Sequence, residues 1–413
     1  MQAQHWASGG VEALLAKGVR MPNPVTVTIG PEVDPQRISG DGVVIHPGCR
    51  IDGAGTVISA GVVLGTEGPV TLSDCRLGPQ VELKGGYAAR SVFLRGANLG
   101  LGHHVREGSL LEEEAGGAHC VGLKQTILFP FVTLGSLINF CDVLMAGGTS
   151  RKDHSEVGSS YVHFNFTPGG DKTTPSMFGD VAHGVMLDRP AIFLGGQGGS
   201  VGPVTVGYGS VVAAGTVLRE DVGEGQLVMI APPPTRRDDY RPGGYKALTR
   251  IVGRNLSYLA GLRALEDWYR AIRRPFFAAE ELGDLVYEGA LEVLASARKE
   301  RVNRLIAMLG KVDPSDDVRA GLREGIGTMC ERVTEVVATA PPAELVSALG
   351  AAAASGSRYV AAVQGLDPGV AAAGSAWLTS CIETSLASAY DVLPAAREAA
   401  GVGGRPARPA APR

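Results

Sequence analysis

The stretch Val43–Gly65, "VVIHPGCRIDGAGTVISAGVVLG", decides the fold. Its aliphatic residues Ile45, Ile51, Val57 and Val63 recur every six residues, and small or polar residues follow them. A helix repeats near 3.6 residues and a long strand near 2, so a beat of six fits neither. It predicts a hexapeptide solenoid: six residues make one short strand and a turn, and three such sides complete a coil. Coils stacked at about 4.8 Å set each inward aliphatic on its equivalents above and below, with small residues at the corners. The same beat returns at Val206, Val212 and Leu218 in "VTVGYGSVVAAGTVLREDV". Between about Gly85 and Gly202 it persists but is interrupted by insertions, which in a solenoid map to surface loops.

Composition agrees with a turn-rich repetitive fold. The 413 residues include 58 Gly and 25 Pro without a three-residue period, and 45% are hydrophobic, too many for general disorder. A net charge of −4 gives no electrostatic case for nucleic acid or an anionic membrane as partner, although local basic groups can still hold a small anion. The six cysteines are scattered without a CxxC pair or a zinc-type His spacing, so free thiols in a reducing compartment and no metal are expected. The N-terminus lacks a basic segment followed by an apolar run, and no apolar stretch of about 18 residues occurs. A cytoplasmic protein is the expectation.

Past "APPPTRRDDYRPGG" the period changes. Leu248, Val252, Leu259, Leu262, Leu265, Tyr269 and Ile272 form one apolar helical face, and further helices are expected at about 279–309, 316–339, 343–364 and 370–393. The expected organisation is an N-terminal arm with a short helix (1–24), a β-helix (25–230), a Pro-rich linker (231–244), an α-helical domain (245–396) and a disordered tail (397–413). Solenoid ends expose strand edges, so the helices are expected to cover the end of the solenoid or extend the oligomer.

Three passages carry a family resemblance. "LLAKGVRMPNPVTVTIGPEV" looks like a short helix and entry strand, "NFTPGGDKTTPSMFGD" like an Asn loop followed by a Lys and Gly-Asp, and "VGPVTVGYGSVVAAGTVLREDV" like a set of closing coils. Over about Val11 to Val228 the chain thereby resembles the acetyltransferase half of the bacterial bifunctional glucosamine-1-phosphate acetyltransferase and N-acetylglucosamine-1-phosphate uridyltransferase family. The resemblance implies a left-handed parallel β-helix that forms a homotrimer with sites between subunits, so the expected fold class is mainly β with an α-helical C-terminal domain. No uridyltransferase domain is expected before Val11. Carried over residue by residue, Arg106 and Lys124 match the cations that bind the sugar phosphate. Asn165 matches the Asn at the amine and thioester, Lys172 a Lys of the same loop, and Ala214 a small residue against coenzyme A. Ser136 stands where the family has its catalytic His, Asn139 where it has a substrate Tyr, and Glu156 where it has a substrate Asn.

Acyl transfer to an amino sugar needs a base for the amine, donors for the thioester oxyanion and cations for the phosphate. Arg106 and Lys124 suit the phosphate, one by its fork and one as a point charge. For the base, "GGTSRKDHSEVGSSYVHFNFTPGGDK" (Gly147–Lys172) offers His154 in an inserted loop and His163, whose strand alternation groups it with Tyr161 and Asn165. The pair His103–His104 and His119 could face the same groove. "FLGGQGGSVG" lacks the Lys-Ser/Thr ending of a phosphate loop, so its glycines are read as close packing at a coil corner. Gly196 within it and Ala214 are the expected coenzyme A contacts. The expected activity is acyl transfer from acetyl-CoA or another acyl-CoA to an amino-sugar phosphate or nucleotide amino sugar. Arg106, Lys124, Asn139, Glu156 and Lys172 would bind substrate, and His163, His154 and Asn165 would act in catalysis. The alternative is an inactive sugar-nucleotide-binding or scaffolding protein.

Overall fold

A computed structural model describes residues 8–162, 175–237, 239, 245, 247–335 and 339–400. The chain winds into a parallel β-solenoid of about ten coils, and helices follow it. Each coil has three walls. The first is a ten-stranded parallel sheet running from Val44–Ile45 to Leu227–Val228. The second holds Arg50–Asp52, Val70–Ser73, Gly86–Ala89, His103–Val105 and their successors. The third begins with Val57–Ile58, Arg76–Leu77, Val92–Phe93 and Leu110–Leu111. The second and third walls merge where the eight-residue strands Val121–Leu128 and Ile138–Met145 cross their corner.

The inward columns explain the six-residue beat. On the first wall Ile45, Leu64, Leu83 and Leu99 stack in register, and on the second Ile51, Leu72, Ala88 and Val105 do so, all with no exposed surface. Each buried aliphatic side chain contributes about 1.5–3 kcal/mol relative to exposure. The sequence beat slips by one at the third wall. Ile58, not Val57, is the inward residue, because the turn after Ile51 is one residue longer; Val57 shares the outward side with its ladder partner Arg76. The slip carries on, so Leu64 rather than Val63 points inward.

Helix α1 (Ser8–Lys17) closes the N-terminal end: Leu14 is fully buried, and the Lys17 ammonium donates to the carbonyls of Pro35 at 3.0 Å and Ile38 at 2.6 Å. A short helix, α2 (Val181–Gly184), sits in the excursion between the third and first walls. The C-terminal region comprises α3 (Leu248–Trp268), a π-helical turn (Tyr269–Arg273), α4 (Arg274–Ala278), α5 (Gly283–Leu309), α6 (Asp317–Glu335), α7 (Ala343–Ala354), α8 (Tyr359–Gln364), α9 (Pro368–Tyr390) and α10 (Pro394–Ala400). The apolar face expected on α3 and the π turn is buried throughout.

These helices lie along the third wall rather than over the end of the solenoid. Their polar contacts run from Ser39, which bonds Glu281, through Arg76 and Arg95 to Pro203, whose carbonyl accepts from Arg250 at 3.0 Å. The physical reason is that outward residues of this wall, such as Val57 and Val92, are apolar and need cover. At the centre the buried Arg273 guanidinium pairs with both Glu112 and Glu113 and stacks on the Tyr359 ring at 3.8 Å. Arg301 of α5 likewise pairs with Asp142.

Candidate functional site

Among the described residues no helix covers the second wall, and the candidate residues gather on it and its two edges. Its outward ladder runs Tyr87, His104, Gly122, Asn139, Tyr161 on successive coils. Tyr87 and His104 stack with ring centroids 5.1 Å apart. Gly122 puts no side chain between His104 and Asn139, which leaves an open floor on the wall.

On one edge, between the first and second walls, the His119 imidazole Nδ1 lies 2.9 Å from the Ser136 hydroxyl. The pairings Gly117–Leu134 and Val121–Ile138 flank these two residues, so they occupy matching corners of adjacent coils. An imidazole thus stands one coil before Ser136, within hydrogen-bond reach of its hydroxyl. Gly158 and then Gly196 and Ala214 continue the same edge: Gly158 N–H donates to the Leu194 carbonyl at 2.7 Å, and Gly215 N–H to the Gly196 carbonyl at 2.9 Å. A Cβ on Gly158 would stand 2.5 Å from the Gly196 nitrogen, so this corner requires glycine for close packing. Ala214 is exposed at its far end.

On the other edge, between the second and third walls, Glu107 gathers three cations. Its carboxylate accepts from Lys124 at 3.0 Å, from Arg90 at 3.4 Å, and faces Arg106 at 3.8 Å. Burial opposes its charge, but the Lys124 hydrogen bond and the neighbouring Arg106 hold the carboxyl below its ordinary value. The structure therefore brings Arg106 and Lys124 together and adds Arg90 and Glu107, which sequence reasoning missed. Glu107 follows Arg106 directly, but its pairing with Lys124 requires knowing which coil lies above which.

The remaining candidates divide. Asn139 is exposed on the second wall beside Tyr161. Glu156 lies on the first wall between Thr133 and Phe193. His154 is at the third edge, in the inserted loop, with Nδ1 3.0 Å from the Arg151 carbonyl. Arg151 pins that loop by donating to the carbonyls of Glu114 at 2.9 Å and Phe131 at 3.1 Å. His154 is thus separated from the His119–Ser136 edge by the full width of the first wall. His163, Asn165 and Lys172 lie outside the described residues. His103 is buried with Nδ1 3.1 Å from the Gly100 carbonyl, and burial lowers its pKa, which keeps it neutral. Among the described residues no group of three or more His, Cys, Asp and Glu could hold a metal, none of the six cysteines forms a disulfide, and no helix is long and apolar enough to cross a membrane.

No family model matches the chain. The chain is similar to GlmU proteins. It is 26% identical over 230 residues to the bifunctional protein GlmU of Pelobacter propionicus, covering 55% of this chain and 44% of that one. The GlmU of Thermotoga sp. (strain RQ2) is 27% identical over 213 residues, 51% of this chain and 42% of its own. That of Exiguobacterium sibiricum is 24% identical over 243 residues, 58% and 46% respectively. The chain thus spans less than half the length of these GlmU proteins. With the β-solenoid, the matches fit the acetyltransferase half of GlmU, as the three sequence passages imply, and an acetyltransferase-like hexapeptide fold follows.

Proposed function

We propose that the second wall and its edges carry acyl transfer from an acyl-CoA, acetyl-CoA being the first candidate, to the amine of an amino-sugar phosphate or nucleotide amino sugar. One observation carries this reading: His119, the open floor at Gly122 and Lys124 lie in that order along a single coil, with Ser136 bonded to the imidazole. Lys124 is two residues from Gly122, about 6.6 Å along a strand. A sugar on that floor has an imidazole at one side and cations at the other.

In the proposed reaction His119 Nδ1–H donates to Ser136 Oγ, which fixes the ring and leaves the Nε2 lone pair free. The substrate amine attacks the thioester carbonyl and its proton passes to Nε2. The C–S bond then breaks, and the coenzyme A thiolate takes that proton and leaves as the thiol. Arg106, Lys124 and Arg90 hold phosphate in place of their contacts to Glu107. The corner of Gly158, Gly196 and Ala214 receives the coenzyme A arm, because glycine and alanine let it approach the backbone. Asn139 borders the sugar. Asn165, His163 and Lys172 remain proposed contributors from the Asn loop, and a homotrimer supplies the facing wall. The test is thiol release from acetyl-CoA with glucosamine 1-phosphate and with several UDP-amino sugars. Release that depends on an amino sugar supports the reading; binding of those sugars without release favours a binding protein.

A further inference from the structure

The phosphate cations stand at the rim of a second feature. Where the edge between the second and third walls meets α5 there is a cleft of about 350 Å³. The solenoid contributes Asp74, Arg90 and Glu107 to it, and α5 contributes Glu292, Val293 and Ser296. Arg90 and Glu107 thus belong both to the cleft and to the cluster with Lys124 and Arg106.

The charges inside differ from those at the rim. Of the two arginines lining the cleft, Arg76 is consumed by Glu292 at 2.6 Å and by the Leu285 carbonyl at 2.7 Å. Asp74, Glu107 and Glu292 supply acceptors, while Val92 and Val293 supply an apolar surface. Such a lining disfavours phosphate and suits a neutral group rich in hydroxyl and N–H donors with a flat apolar face. Asp74 and Arg90 hold left-handed backbone angles of φ 52° and 45°, an uncommon conformation for side-chain-bearing residues. Behind Gly108, which also lines the cleft, the buried Gln125 has a side-chain oxygen without a hydrogen-bond partner.

We propose that the acceptor is a nucleoside-diphosphate amino sugar, with its diphosphate on Arg90, Arg106 and Lys124, its amino sugar on the second wall, and its nucleoside in the cleft walled by α5. Ribose hydroxyls donate to Glu292 and Asp74, and the base lies against Val92 and Val293. This inference rests on the acyl-transfer reading for the sugar but not for the nucleotide. It gives the helical region a direct part in choosing substrate.

The test is calorimetric titration of the full chain with UDP, ADP and GDP, and with pyrophosphate, which carries the charge without the nucleoside. At least one nucleotide binds about tenfold or more tightly than pyrophosphate. Ser296→Trp, an exposed position on α5, removes that advantage while pyrophosphate binding persists. Circular dichroism verifies that the variant is folded. If no nucleotide exceeds pyrophosphate, or if Ser296→Trp leaves the advantage intact, the inference is overturned. Thiol release with glucosamine 1-phosphate alongside absent nucleotide binding would sink the cleft and leave acyl transfer standing. Nucleotide preference without thiol release from any UDP-amino sugar would do the reverse.

Discussion

The second and third walls are built from the same coil, yet their outer surfaces carry ions in opposite ways. Under the helices, Arg273 is 1% exposed and balances Glu112 and Glu113 among aromatic rings. On the open wall Lys124 and Arg106 meet a single carboxylate, Glu107, with water at hand. A fully buried pair is fixed because breaking it strands a charge, whereas a pair that keeps some contact with water exchanges partners at lower cost. The covered wall fastens the molecule, whereas the cations of the open wall keep contact with solvent.

The most forceful way to break this comparison is Arg273→Met, which leaves two buried carboxylates without their cation. It is expected to destabilise the protein by about 3–5 kcal/mol in urea unfolding. A cost as small as that of an exposed pair would mean the two walls do not differ. Lys124→Ala comes next. Losing a charge-assisted contact worth about 1.5–3 kcal/mol raises KM for a phosphorylated acceptor roughly tenfold to a hundredfold, with little change in melting temperature. A fall in stability with KM unchanged would make Lys124 structural.

A smaller effect sharpens the comparison through pH. Burial pushes the Glu112 carboxyl up to about 7, against the counter-pull of Arg273. A carboxyl raised in the folded state binds more protons there than in the unfolded chain. Its contribution is therefore fully present below the ordinary value of 4.5 and is lost as pH rises through about 7. Glu112→Gln is expected to flatten the decline of melting temperature across that window. An unaltered slope would remove Glu112 as its source.

Much of the solenoid was legible because its beat is local. Ile45 and Ile51, and later Val206, Val212 and Leu218, point inward as their spacing requires. Val57 and Val63 were misread because one extra turn residue shifts the phase, and Val57, outward but covered by helices, looks like an aliphatic in the core. The side on which the helices pack was not legible, since an amphipathic face says that it needs a partner but not which one. The site shows the same limit. Arg106 and Lys124 could be aligned by position, whereas the bonds from His119 to Ser136 and from Glu107 to Lys124 each span 17 residues and exist only once coils are stacked in register.

We propose that His119 on the open edge stands in for an imidazole at Ser136. Thiol release from acetyl-CoA, measured with the amino-sugar acceptor that gives the highest rate, tests it most directly in the wild type and in His119→Ala. His119→Ala is expected to lose about 10²–10⁴ in kcat, with stability changed by no more than about 0.5 kcal/mol because the side chain is exposed. An undiminished rate in His119→Ala, or no amino-sugar-dependent release in the wild type, would contradict it.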